Sequence, residues 1–312
     1  MNDRAVDLSI VIVSYNVADL LDECLYSIKR TAGDITYQII VVDNQSRDHT
    51  VQLITTKHKD VTLVVNDHNV GFARANNQGL QLATGRCVFV LNPDTVLHEQ
   101  CLGLLMKALD EDPEVGAVGP RMFRSQGTIE KDCARKAVSR KAELLIDVLR
   151  MDRVWGVRRY ALRARYPYDY ETDCLVEAIS GAAMLVRRDV LQAVGDFDTD
   201  YLHGGEDVDL CMRVRRAGYK VKYVQAAHMT HYLNSSGKQD NVNTKVKAAL
   251  SHSALLNKHN MRWLGSIYRV SLIAQAFAGV CGECLKMVVF RFDRHTVREK
   301  MSLFLNYARY LG

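Results

Sequence analysis

A chain of 312 residues with 48% hydrophobic and 25% charged residues has the composition of an ordinary globular protein, long enough for one large domain or one domain with an appendage. That composition argues against disorder, and eight cysteines spread over this length argue against a disulfide scaffold. The net charge of +5 is uneven: residues 121–165 hold thirteen Lys or Arg and five Asp or Glu, a local +8 that could face phosphate or an anionic membrane, or could be a solvated helical face.

The opening residues 1–7 are polar and contain two Asp, so they lack the basic start and apolar run of a secretory signal, and a cytoplasmic protein is expected. Leu8 to Val13 reads as a buried strand ended by Ser14-Tyr15-Asn16, and Leu20, Leu21, Cys24, Leu25 and Ile28 follow at helical spacing. A second strand, Tyr37 to Val42, stops at Asp43-Asn44-Gln45-Ser46. Val61 to Val65 predicts a third strand, Gly71 to Ala83 a helix, and Arg86 to Leu91 a fourth strand. Strands alternating with helices predict an α/β fold with a mainly parallel central sheet.

Beyond Leu91 the alternation lapses. Leu102 to Leu109 predicts a helix, Val115 to Gly119 a short strand, Ala182 to Arg187 a strand, and Asp189 to Val194 and Val208 to Ala217 two further helices. Residues 245–312 are mostly helical in spacing, and a boundary near residue 240 separates a domain at 1–240 from a helical region at 241–312. Within that region, Ser271 to Val288 has a broad apolar face, including Leu272, Ile273, Ala276, Phe277 and Val280, too interrupted for a spanning helix. It could pack on the main domain, join a homo-oligomer, or lie in a membrane interface. Cys281-Gly-Glu-Cys284 has CxxC spacing without a second pair or a βαβ setting, so a zinc or redox role has little support.

There is no GxxxxGK[ST], no GxGxxG after a strand and no HExxH. The positive signals lie at strand ends. Ser14-Tyr15-Asn16, Asp43 and Asp94 follow the first, second and fourth strands, and a parallel sheet gathers such residues along its carboxyl edge, where open α/β sheets bind ligands. Each has a plainer account. Asn92-Pro93-Asp94 suits an ordinary turn, and Asp43 suits an N-cap or Asx-turn, though it could also accept a ring N–H from a pyrimidine base. Gly71 would allow close backbone approach at a helix N-terminus, where phosphate binds well, and Arg74 could add a charge-assisted contact.

Glu206-Asp207-Val208-Asp209 crowds three carboxylates at a helix start, favourable for the helix dipole and also suited to a general base. His228 and His231 follow Val221-Lys-Tyr-Val224 across a short segment; an imidazole, one carboxylate and diphosphate oxygens would suffice to hold a divalent metal.

In combination these motifs resemble a family. Ser-Tyr-Asn after the first strand, Val-Val-Asp-Asn-Gln-Ser, Asn-Val-Gly-Phe-Ala-Arg-Ala-Asn-Asn-Gln-Gly, Leu-Asn-Pro-Asp-Thr, Ser-Gly-Ala-Ala-Met-Leu-Val-Arg-Arg and Gly-Glu-Asp-Val-Asp-Leu occur in the order found in family 2 inverting glycosyltransferases, and look most like the rhamnosyltransferase-like branch, over residues 8–237. The resemblance implies a GT-A fold, a nucleotide-diphosphate sugar donor and Mg²⁺ or Mn²⁺. It implies donor binding by Ser14, Tyr15, Asn16, Asp43, Asn44, Gly71, Arg74, Asn76, Asn92 and Asp94, with Asp43 on the base and Asp94 and His231 flanking the metal and diphosphate. Asp207 matches the family's general base, with Glu206 as the fallback.

Two departures stand out: Asn92 occupies the first position of the family's Asp-X-Asp, and Gln225 stands where relatives often have proline. The activity so implied is transfer of a sugar, dTDP-L-rhamnose first and a UDP-hexose second, to a glycan or polyprenyl-linked glycan in bacterial surface or cell-wall polysaccharide synthesis. Peripheral contact with the cytosolic face of the inner membrane would suit it, and nucleic acid is not an expected partner. A nucleotide-sugar-binding subunit without catalysis is the alternative, against which Glu206-Asp207 argues. A nucleotidyltransferase would need a basic, glycine-rich loop after the first strand, which Ser14 to Ala18 does not offer.

Overall fold

The computed structural model describes residues 6–137, 162–233, 241–259, 262–289 and 294–311. Much of the basic stretch at 121–165, and the boundary near residue 240, thus lie outside the described residues. Two compact units form: Met1–Ala137, Arg165–Thr199 and Glu206–Ser236 make the first, and Val138–Ala164, Asp200–Gly205 and Gly237–Gly312 the second.

The first unit is built on a mixed sheet of nine strands among the described residues. Its first half is parallel. β1 (Leu8–Ser14) lies between β2 (Tyr37–Asp43) and β4 (Cys87–Leu91), and β3 (Thr62–Val65) extends the edge beyond β2. β1 and β4 are almost wholly buried, the expected state for apolar, β-branched runs covered on both faces. Helices α1 (Ala18–Thr31), α2 (Thr50–Lys57) and α3 (Phe72–Leu82) make the crossovers. α1 buries Leu21, Cys24, Leu25 and Ile28, a stripe at helical spacing. α3 sits close on β1 because residue 79 is glycine: a methyl group there would run into Val11 Cγ1.

The second half departs from simple alternation. After β4 come β5 (Thr95–Leu97), α4 (Cys101–Glu111), β6 (Val115–Arg124), a 3₁₀ turn at Lys131–Cys133, β7 (Ala134–Arg135), β8 (Cys174–Val176), β9 (Ala178–Ile179), β10 (Ala183–Arg187), α5 (Arg188–Val194), α6 (Glu206–Arg216) and β11 (Lys220–His231). β10 runs antiparallel between β4 and β6, while β11 runs parallel to β6 and antiparallel to β5 and β8.

Three features differ from the sequence expectation. β6 continues past Gly119 through Pro120 to Arg124. β11, which was not expected as a strand, runs from Lys220 past an irregularity between Val224 and His228 to His231. The three-residue β5 was not expected, and its register sets His231 opposite Thr95.

The second unit contains α7 (Asn241–Lys258), α8 (Arg262–Val289) and α9 (Arg294–Leu311). Val246, Ala249, Leu256, Leu264, Tyr268, Ala276 and Tyr307 form its core, with Leu272, Ile273, Leu303 and Phe304 packed against it. Leu272, Ile273 and Ala276 of the apolar face read at 271–288 are therefore taken up by helix packing within this unit. The Asp200–Gly205 loop is tied to α7: Leu202 and His203 both donate backbone N–H groups to Ser251 Oγ at 2.9 Å. Among the described residues no helix is long and apolar enough to cross a membrane.

Candidate functional site

The carboxyl edge of the parallel half carries a net of side-chain hydrogen bonds joining the loops after β1, β2 and β3. Asn16, held at φ 55°, accepts from Arg47 N–H at 2.6 Å and donates its own N–H to Ser46 Oγ at 2.9 Å. Asn44 is the hub: its Oδ1 accepts from Asn66 Nδ2 and Val70 N–H, and its Nδ2 donates to Asn69 Oδ1. These bonds give Asn44 a loop-fixing role. Asn76 is fully buried and donates its Nδ2 to Phe72 O one turn back, while its Oδ1 has no partner among the described residues. Tyr15 is half-buried, and Arg74 is exposed with no carboxylate partner among the described residues.

Asp43 is also only half engaged. Its Oδ2 accepts from Ser46 N–H at 2.9 Å, the turn role read from sequence, while Oδ1 is buried with no partner among the described residues. Ser14, directly opposite in register, buries a second unpartnered oxygen, Oγ. Buried polar atoms are rarely left unpaired, so this pair points to a group that the folded chain lacks. Gly71 caps α3 at φ 87°, a backbone state that glycine alone adopts without strain.

A second cluster gathers where β5 meets β11. Asp94 precedes β5, and Tyr232 N–H donates to Asp94 O at 2.9 Å, so the pairing of His231 with Thr95 brings the two side chains together: His231 Nε2 lies 3.3 Å from Asp94 Oδ1. The other ring nitrogen, Nδ1, lies 2.9 Å from Glu130 Oε2. Burial opposes charge on this imidazole, but the hydrogen bonds to Asp94 and Glu130 outweigh it and push the ring's pKa up to about 9. A histidine whose far nitrogen is fixed by a carboxylate is the usual support for a metal-binding imidazole. Asp94 and His231 supply one oxygen and one nitrogen. No group of three or more His, Cys, Asp or Glu that could hold a metal occurs among the described residues, so these two donors would leave most positions of a cation open to a ligand. His228, three residues earlier, is elsewhere, stacked edge-on against Phe123 and His98.

The third cluster is centred on Asp207 in the first turn of α6. Its Oδ2 accepts from Arg135 Nη2 at 2.8 Å and from Gly181 N–H at 3.0 Å, and its Oδ1 from Val208 N–H at 2.7 Å. A carboxylate has about four lone-pair directions, and these three described donors occupy three of them. Arg135 also donates to Asp132 Oδ1 at 3.2 Å, which Tyr166 bonds from the other side at 2.7 Å. Although burial alone would lower the basicity of Arg135, Asp207 and Asp132 raise it, so its guanidinium is a fixed cation. Asp209 points away, paired with Arg213 at 2.8 Å. Glu206 is buried beside Asp207.

The second and third clusters share a scaffold. The segment from Glu130 to Arg135 supplies Glu130 to His231 and Arg135 to Asp207. The turn at Gly181-Ala182 also joins them, since Asn92 N–H donates to Ala182 O at 2.9 Å while Gly181 N–H donates to Asp207. Glu130, Asp132, Arg135 and Tyr166 were not identified from sequence. Only the charge excess of 121–165 marked the region that holds the first three, and nothing in its pattern singled out any of the four.

Comparison with known proteins places the chain in a family and a fold class. The family model described as glycosyl transferase family 2 matches residues 9–195. An N-acetylglucosaminyl-diphospho-decaprenol L-rhamnosyltransferase of Mycobacterium tuberculosis is 26% identical over 268 residues, covering 82% of this chain and 86% of that protein. A poly-beta-1,6-N-acetyl-D-glucosamine synthase of Staphylococcus aureus is 24% identical over 224 residues, covering 71% of this chain and 48% of that protein. Among solved structures, GalNAc-T7 with UDP, GalNAc and Mn²⁺ has a TM-score of 0.59 at 13% identity, covering 99% of this chain and 57% of that one. The mannosyltransferase PcManGT of Pyrobaculum calidifontis, with GDP-Man and Mn²⁺, has a TM-score of 0.50 at 20% identity, covering 99% and 89%. The fold is of the α/β GT-A type, and the chain belongs to glycosyl transferase family 2.

Proposed function

We propose that this protein is an inverting glycosyltransferase that moves L-rhamnose from dTDP-L-rhamnose to a hydroxyl of a glycan, or of a polyprenyl-linked glycan, in bacterial surface or cell-wall polysaccharide synthesis. The observation that carries the reading is the shared scaffold: one segment, Glu130 to Arg135, supports both the Asp94–His231 pair and the Asp207 carboxylate. The preference for rhamnose and a lipid-linked acceptor comes from the name of the mycobacterial relative, which this chain matches over most of its length.

In this reading Asp43 Oδ1 accepts the ring N–H of the pyrimidine base, and Ser14 Oγ bonds nearby. Thymine and uracil share that ring N–H, so Asp43 does not distinguish a dTDP from a UDP donor. A UDP-hexose is therefore the second donor. Asp94 and His231 would hold Mg²⁺ or Mn²⁺, which when bound offsets charge developing on the departing diphosphate. Asp207, held by Arg135, Gly181 and Val208, takes the proton of the acceptor hydroxyl as its oxygen attacks the anomeric carbon. The bond from that carbon to the diphosphate oxygen breaks, its electron pair leaves with the nucleoside diphosphate, and the configuration inverts.

The test is a panel of dTDP-, UDP- and GDP-sugars offered with Mg²⁺ or Mn²⁺. A donor that binds the folded state raises the melting temperature, and the proposed donor should give the largest rise together with sugar-dependent nucleotide release. Release with none of the sugars, in either metal, would contradict the reading.

A further inference from the structure

α8 is apolar on more than one side, and only one side is covered. Leu264, Tyr268, Ala276 and Val280 are buried, whereas Trp263, Ile267, Val270 and Phe277 are 60%, 43%, 67% and 55% exposed. With exposed Ala274 and Cys281 these positions recur at steps of four and three residues, a single outward stripe. A helix apolar all round is normally buried all round. Phe277 meets Phe304 of α9 with ring centroids 5.7 Å apart, and α9 carries its own exposed stripe. There Arg298, Met301, Leu305 and Arg309 follow at three- and four-residue steps, so two exposed cations bracket two exposed apolar side chains. Neither arginine has a carboxylate partner among the described residues.

Charge decides what covers these stripes. Residues 241–312 hold eleven Lys or Arg and three Asp or Glu, a net +8 against +5 for the whole chain. A second copy of the chain would bring two such units together, like against like, whereas an anionic bilayer offers an apolar layer beneath a layer of phosphate. Tryptophan at one end of the α8 stripe also suits the headgroup level. We propose that the outer faces of α8 and α9 are a membrane-docking surface, on which Trp263, Ile267, Val270, Phe277, Met301 and Leu305 enter the interfacial layer of an anionic bilayer while Arg298 and Arg309 meet its phosphates. The apolar stripe supplies insertion and the arginines supply the preference for anionic lipid. None of these residues belongs to the donor or base clusters, so the surface stands or falls apart from the donor's identity.

Vesicle flotation of the full chain tests it, with vesicles of phosphatidylcholine alone and of phosphatidylcholine mixed with phosphatidylglycerol. The chain should float with the mixed vesicles and stay behind with the neutral ones. Trp263→Gln, Ile267→Gln and Val270→Gln together should cut the bound fraction about tenfold or more, with the melting temperature kept because all three side chains are exposed. Arg298→Gln with Arg309→Gln should remove the preference for anionic vesicles. No flotation, or equal flotation with both vesicle types, overturns the proposal. So does sedimentation showing a dimer that the triple variant converts to monomer, since a second copy would then cover the stripe.

Discussion

Arg135 is the residue that the geometry adds to the reaction. It touches Asp207 rather than the reacting atoms, so it is a positioning residue for the carboxylate proposed to take the proton. Replacing it with Met leaves Asp207 buried and without its cation, and the misplaced base should lower kcat about a hundredfold with little change in donor KM. Arg135→Lys should recover part of the loss through charge alone, because lysine cannot form the fork that reaches Asp132 and Asp207 together. Glu130 has the matching role behind His231. Glu130→Gln should raise the Mn²⁺ concentration needed for half-maximal turnover by about ten- to a hundredfold, the usual effect of losing a carboxylate behind a metal-binding histidine. Unchanged metal dependence would take His231 out of the metal site. Asp94→Ala should weaken metal-dependent turnover more than nucleotide binding, since base recognition is assigned to Asp43.

At the scale of elements, the sequence was most legible where side chains repeat with a clear period. β1, β2, β4, α1 and α3 were readable because each buries a continuous run or a helical stripe, and the strand ends then marked Ser14, Asp43 and Asp94. β5 was not legible: three residues are too few for a period, yet this strand pairs His231 with Thr95 and so sets it beside Asp94. β6 reads as ending at Gly119 because glycine and Pro120 are poor strand residues, and β11 does not read as a strand because the irregularity before His228 breaks its alternation. Arg135 and Glu130 could not be read at all, because their roles arise from contacts across 72 and 101 residues of chain. Packing at this scale makes its own prediction. Gly79→Ala puts a methyl group into Val11 at the α3–β1 contact and should cost about 1–3 kcal/mol, as overpacking does. Urea unfolding measures it, and an unchanged midpoint would show that α3 can shift without loss.

Over the whole molecule, binding and chemistry come from different stretches of one unit. The unpartnered oxygens assigned to the nucleotide base are in the first fifty residues, while the assigned base, Asp207, starts a helix after the sheet has reversed direction. The helical unit contributes none of these groups. Donor binding and transfer should therefore be separable by a single substitution that keeps the size and shape of the side chain. The decisive measurement is transfer and donor affinity side by side for the full chain and its Asp207→Asn variant. Transfer should fall by about three orders of magnitude or more, as when a positioned base is removed, while donor affinity stays within about twofold, since Asp207 makes no contact assigned to the nucleotide. Turnover that survives in the variant would contradict the account, and would move the base elsewhere, to Glu206 first.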